Sequence, residues 1–457
     1  MERMNDRQRG RRSTKLGHEL PVQSRWFTIV DKRAGNTVYK FEWWDKQSVE
    51  DANLLSYGSQ SKPGQADGEL DRSPVVIGQM LREHGVDTAK FGSGEAKSLE
   101  QLAAEVRTGE CRLMLDAADY KKLVRVVDVV LIRLFWQKSS KVGALLIETG
   151  ETYPDGRRRD IARLPGSKRR PWESPLQAAK RLLSDLLGMG NYSVEFGLED
   201  KEVFEEEFES PSFPGVRTVY RKELVPCYVV ETDQQLLARI GLPEGKLWTF
   251  EDPRKNVKYL QWVTEAQATN LNVRLGARGS EDVSGLVHAP VGMGEETLRT
   301  YLQQSGVDTS KFGQGEHRTV QDFAQETIRG DSSVTTTKTG KVVRIIDLVL
   351  LKVANPLSGE FLVLTEQIMP NGEKTMVKRL PGGRGRPDES HFLTARRVLR
   401  KMLRISEDQV SFDVDGVQRF ENQQKDADYP GIRTTYRTHL LSVQLFPDRK
   451  GSYESIV

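Results

Sequence analysis

Cysteine is almost missing from this chain. Its 457 residues hold two, Cys111 and Cys227, too few for a disulfide framework, so the fold must rest on burial and an intracellular setting of unspecified compartment is expected. Histidine is sparse as well. The six (His18, His84, His288, His317, His391, His439) show no metal-ligand spacing among themselves or with the cysteines, which leaves zinc unsupported. No apolar run reaches the length of a membrane span, and no membrane insertion is expected. Neither sign of charge dominates: 68 Lys and Arg against 65 Asp and Glu leave a formal +3, too little at this size to single out a partner. With 37% hydrophobic residues the composition is that of a soluble globular protein long enough for two or three domains.

What is present is a stretch that occurs twice, at residues 164–189 and 380–405. Each copy reads as a Leu-Pro-Gly turn, a basic loop, a Glu-Ser helix start and an apolar-striped helix. Ser174 and Ser390 are suited to N-caps and Pro175 to a first helical position, while Leu176, Ala179, Leu182, Leu183 and Leu186 recur at helical spacing.

The self-similarity is wider than this stretch. Gly85-Val86-Asp87-Thr88 returns as Gly306-Val307-Asp308-Thr309, Val124-Arg125-Val126-Val127-Asp128 as Val343-Arg344-Ile345-Ile346-Asp347, and Tyr220-Arg221 as Tyr436-Arg437, at offsets of about 220 residues. A segment with Trp26 and Trp44 returns with Trp248 and Trp262. The expected organisation is a flexible basic tail at 1–19, a Trp segment at 20–56, a linker at 57–74, a first unit at 75–240, a second Trp segment at 241–273, a linker at 274–290 and a second unit at 291–457. Helices are predicted after Ser98 and Thr319, strands over 123–135 and 342–353, and hairpins turning at Pro154-Asp155-Gly156 and Pro370-Asn371-Gly372. The Trp residues read as packing anchors between repeats, and the acidic run Glu205, Glu206, Glu207 and Glu209 as a solvated loop.

On these residues the repeated stretch resembles the Nudix box: Gly, five residues, Glu, seven residues, then Arg-Glu-aliphatic-x-Glu-Glu-x-Gly-aliphatic. The second copy matches at Gly383, Glu389, Arg397, Leu399 and Ile405, and the first at Glu173, Arg181, Leu183, Gly188 and Met189; Ser167 and Arg404 replace a Gly in each. The resemblance implies an α/β protein, two Nudix-like α/β/α sandwich units in tandem with the Trp segment added. It also implies that the Glu173/Arg181 and Glu389/Arg397 pairs fix each loop against its helix.

The residues that would hold Mg²⁺ in such a box depart from the pattern. Leu182, Asp185 and Leu186 in the first copy, and Val398, Lys401 and Met402 in the second, stand where three Glu would share a helix face. Asp185 is the one carboxylate left as a weak metal candidate. No catalytic residue and no cofactor are therefore expected.

In the fold the resemblance implies, Arg157, Arg158, Lys168, Arg169, Arg170, Lys378, Arg379, Arg384 and Arg386 would lie beside the cleft in which Nudix proteins take diphosphate compounds. Lys374 and Arg159 belong to the same loops. Arginine forks suit phosphate, and the alternative is a solvated, salt-bridged hairpin. Two functions compete: a non-catalytic repeat protein that binds a phosphorylated ligand, RNA or other proteins, and a divergent Nudix hydrolase that cleaves nucleoside diphosphate derivatives with Mg²⁺. The placement of the two Trp segments, one ahead of the first unit and one between the units, adds one expectation, that the N-terminal segment docks on the second unit, with Trp26 and Trp44 near residues 443–446; the alternative is that each segment packs on the unit that follows it, with contacts to residues 75–240.

Overall fold

The two longest β-branched runs form the two longest strands, Leu123–Trp136 and Val342–Ala354, each in the interior of its own sheet. The computed structural model describes residues 24–446 except 33–34, 58, 61–73, 95, 117–121, 137–143, 198–201, 277–286, 289–292, 338–339 and 387–388. The tail expected at 1–19 lies outside the described residues. The architecture is mixed α/β, with two 11-stranded sheets.

Along its main path the first sheet runs Glu202–Glu209, Arg217–Val229, Leu123–Trp136, Ala144–Thr152, Val257–Thr264, Trp248–Glu251. The second runs Trp26–Asp31, Thr37–Trp44, Phe361–Ile368, Val342–Ala354, Arg433–Leu445, Gln418–Lys425, Ser59–Gln60. Each sheet is centred on a parallel pair in long register, Arg217–Val229 beside Leu123–Trp136 and Arg433–Leu445 beside Val342–Ala354. Such a pair is buried on both faces, which is why these strands read as near-continuous apolar runs.

The N-terminal hairpin does dock on the second sheet, though not where expected. Thr37–Trp44 pairs antiparallel with Phe361–Ile368, which Val342–Ala354 separates from Arg433–Leu445, while Phe41 and Trp43 join Val443 and Leu445 in one core. In the first sheet the corresponding place beside Ala144–Thr152 is taken by Val257–Thr264. The two stretches expected as linkers also contribute strands: Ser59–Gln60 pairs with the edge of Gln418–Lys425, and Val287–His288 with Arg112–Asp116.

A second departure concerns the tryptophans. Trp262 pairs with Leu146 and Trp43, not Trp44, pairs with Leu362; both are 4% exposed and both belong to the main cores. Trp44 and Trp248 are half-buried and Trp26 is 55% exposed, with Lys40 over its ring. A one-residue slip in a strand exchanges its faces, so a match by residue type alone picks the wrong side of the sheet.

Helix starts follow the caps. Ser98, Ser174 and Thr319 each form a capping box, and Ser390 accepts from the Leu393 amide. The first box helix, Pro175–Arg181, opens into a wider π turn at Leu182–Leu186, and the second, His391–Val398, into one at Leu399–Leu403. Through that turn the adjacent Leu182 and Leu183 are both buried, against Ile132, Leu134, Leu146 and Val225. In the second half Val398, Leu399 and Leu403 pack with Val349, Leu351, Leu441 and the N-terminal Phe41. Each such side chain contributes about 1.5–3 kcal/mol by leaving water.

Candidate ligand site

The box carboxylates meet their arginines. Arg181 Nη2 donates to Glu173 Oε2 at 2.7 Å and to the Lys168 carbonyl at 3.0 Å; Arg397 Nη2 donates to Glu389 Oε2 at 2.7 Å and to the Arg384 carbonyl at 2.6 Å. One guanidinium thus holds the helix, the Glu and the loop backbone together, and the fork geometry of arginine allows this where lysine would not.

The loop cations are mostly occupied locally. Arg157 pairs with Asp155 (2.8 Å), and Arg158 pairs with Asp160 (3.0 Å) and stacks on Tyr259. Lys168 lies 3.7 Å from Glu105, Arg170 3.7 Å from Glu173, and Arg384 2.9 Å from Glu326. Lys378, Arg379 and Arg386 are exposed; Lys378 borders a shallow depression beside the N-terminal hairpin. The nine expected anion-binding residues therefore do not converge on one place. The acidic run is a strand and not a loop: Glu205, Glu206 and Glu207 meet Arg221, Lys222 and Arg217 across Arg217–Val229.

Behind the loops sit two buried ion networks. Arg125 meets Glu105 at 2.5 Å under the ring of Phe213, and Arg344 meets Glu326 and Asp426 beside Tyr429. Burial works against the charge of Glu105, but Arg125 and Lys97 outweigh it and hold its carboxyl down at about 2.

Of the nine expected anion-binding residues, Arg169 reaches a cavity of about 530 Å³ between the halves of the molecule, which Glu389 and Arg397 also line. The first half supplies Asp128, which Arg112 grips with two bonds of 2.7 and 2.9 Å and Arg169 with one of 3.3 Å. Burial opposes the Asp128 charge, yet Arg112, then Arg169 and Arg221, hold its carboxyl well below the usual carboxylate range. The second half supplies the outer face of its box helix, with Arg396, Arg397 and Arg400, followed by Arg404, Glu407 and Asp408. Trp172, from the first box loop, closes one side of the junction by packing on Phe392, and Gln177 donates to the Val410 carbonyl.

Sequence reasoning passed over Arg112, Arg221, Arg396, Arg400 and Arg404. The repeated Tyr-Arg pair at Arg221 and the doubled arginine Arg396-Arg397 were the available signals. What they lacked was the opposite wall, since the cavity needs both halves.

The residues at the box metal positions do not fit Mg²⁺. Leu182 is 1% and Val398 5% exposed within apolar cores, Leu186 and Met402 pack against the same cores, and Lys401 is a cation. Asp185 is exposed, and among the described residues no three His, Cys, Asp or Glu come together as metal ligands would.

No protein-family model matches the chain, and no curated protein matches it. Among solved structures it is similar to the Nudix hydrolase RenU from M. smegmatis, at 16% identity over 36% of this chain and 86% of that one, with a TM-score of 0.19. It is also similar to the C. elegans Ap4A hydrolase, at 13% identity over 32% and 86% of the two chains, and to a binary complex of that hydrolase at 12% over 32% and 85%, each with a TM-score of 0.19.

Proposed function

We propose that this chain is a tandem, degenerate Nudix-like protein that acts by binding and not by hydrolysis. The observation that carries this reading is the use of the box helix: the face that would have to offer carboxylates to Mg²⁺ is turned into the core at Leu182 and Val398. An aliphatic side chain gives a hard cation no oxygen, and a carboxylate placed there would be desolvated. The Glu173/Arg181 and Glu389/Arg397 pairs then serve architecture, holding two basic loops in shape. The ligand class that suits the arginine-lined cavity is anionic.

The second reading, a divergent hydrolase of nucleoside diphosphate derivatives, has one observation in its favour, the exposed Asp185 at a box Glu position. Incubation of the full chain with Mg²⁺ and a nucleoside diphosphate derivative separates the two. No metal-dependent release of phosphate is expected; turnover that collapses in Asp185→Asn would establish the hydrolase instead.

A further inference from the structure

The second box helix carries a side chain whose position is costly as it stands. Arg396 is 7% exposed, and all three of its guanidinium nitrogens are buried without a hydrogen bond. Its ionic neighbour is Glu407, with Oε2 3.4 Å from Nε, too poorly aligned to count as a hydrogen bond. A guanidinium has five donors, and leaving them unmet away from water costs far more than an average contact returns. Burial, and next the like charge of Arg169 across the cavity, pull the Arg396 pKa down to about 10. The two halves thus present guanidinium groups to one another across a gap.

None of the carboxylates around this gap, Glu407 and Asp408 included, makes a hydrogen bond to Arg396. Asp128 is held by Arg112 and Arg169, and Glu389 by Arg397; Glu223 lies 3.6 Å from Arg169. Arg400, one turn beyond Arg396, lines the same cavity and makes no hydrogen bond or ion pair among the described residues. A second, exposed donor therefore stands at the rim above the buried one.

We propose that the cavity between the halves is a binding site for a small phosphorylated molecule, with a phosphoryl group seated between Arg396 and Arg169 and Arg400 closing over it. This deepens the binding reading above and rests on it. A phosphoryl dianion matches two guanidinium forks facing one another better than a singly charged carboxylate does, and its several oxygens can take the donors that Arg396 leaves open. The volume of about 530 Å³ is that of a small-molecule site, which favours a metabolite-sized ligand over a nucleic-acid strand. Because both halves line it, an occupant would also fasten them together.

The test is calorimetric titration of the full chain with inorganic pyrophosphate, with orthophosphate, and with an unphosphorylated nucleoside, repeated on Arg396→Gln, Arg400→Gln and Arg158→Gln. Saturable binding of pyrophosphate is expected, weakened by about tenfold or more in Arg396→Gln and less in Arg400→Gln, and unchanged in Arg158→Gln, whose site is the exposed hairpin. The nucleoside should not bind. If Arg396→Gln fails to fold, as read by circular dichroism, the exposed Arg400→Gln carries the test alone. Equal affinity in the wild type and the cavity variants overturns the proposal, as does no binding of either anion. Binding of single-stranded RNA that weakens in Arg158→Gln and not in Arg396→Gln also overturns it and points to the hairpin. All these outcomes are read without turnover, so they are independent of whether Asp185 supports hydrolysis.

Discussion

The first sheet takes its outer hairpin from the residues that follow it, Trp248–Glu251 and Val257–Thr264, whereas the second takes the equivalent hairpin from the other end of the described chain, Trp26–Asp31 and Thr37–Trp44. The place is the same, beside Ala144–Thr152 in one and Phe361–Ile368 in the other, but the connection differs. One half is completed by neighbours in sequence; the other waits for a strand more than three hundred residues away, as the bond from Thr365 Oγ1 to the Lys40 carbonyl records. An uncovered edge and apolar face are liabilities, and the N-terminal hairpin covers both for the second half. It also makes the two halves interdependent.

The largest test of this difference is removal of residues 1–56. That deletion takes Phe41, Trp43, Val49 and Leu54, all nearly buried, out of the second half, a loss on the order of 6 kcal/mol or more. Hydrogen exchange should show protection lost first in Phe361–Ile368 and Val342–Ala354 and kept in Leu123–Trp136. Equal loss in both sheets would break the comparison.

Next in size are the buried networks. Arg344→Ala removes the shared partner of two carboxylates, leaving Glu326 with Arg384 and Tyr429 and Asp426 with no cationic partner among the described residues, where Arg125→Ala takes one partner from Glu105 and leaves it Lys97. Urea unfolding should give losses of about 4 kcal/mol for the first and about 3 for the second. A larger loss for Arg125→Ala would show that the first half depends more on its network.

Acid should act through the same cluster. The Glu105 carboxyl is depressed from 4.5 to about 2 when folded, so its contribution is whole above pH 4.5 and is lost as pH falls from there toward 2. The loss is at most about 3 kcal/mol, and Glu105→Gln should flatten that part of the stability profile. A profile unchanged by Glu105→Gln would mean the carboxylate is not held by Arg125 as described. The smallest effect belongs to the box pairs: Arg181→Ala and Arg397→Ala should each cost about 2 kcal/mol, because these arginines are partly reached by water where Arg125 and Arg344 are not. Unchanged melting in either would reduce that pair to a surface contact.

Local features were legible because their causes are local. Ser98, Ser174 and Thr319 cap their helices by bonds within three residues, and Pro154-Asp155-Gly156 turns its hairpin by its own backbone preferences. Strands Leu123–Trp136 and Val342–Ala354 announced themselves by burial on both faces. What failed depended on partners distant in sequence. The tryptophan match slipped by one residue, to Trp44 in place of Trp43, because residue type does not reveal which face of a strand is buried. The basic hairpin could be read as a ligand site or as a salt-bridged surface, and only the structure shows Arg157 paired with Asp155 and Arg158 with Asp160. The doubled arginine Arg396-Arg397 was visible, but its significance was not, since it comes from Arg169 on the opposite wall.

Box helices that serve packing and not metal binding should leave the chain without affinity for a hard divalent cation. Titration of the full chain with Mn²⁺, followed by the loss of its free electron-spin-resonance signal, tests this most directly, because Mn²⁺ takes oxygen ligands as Mg²⁺ does. No stoichiometric uptake is expected, with the signal of added Mn²⁺ at full intensity; one ion bound per chain and released in Asp185→Asn would make the first box helix a metal site.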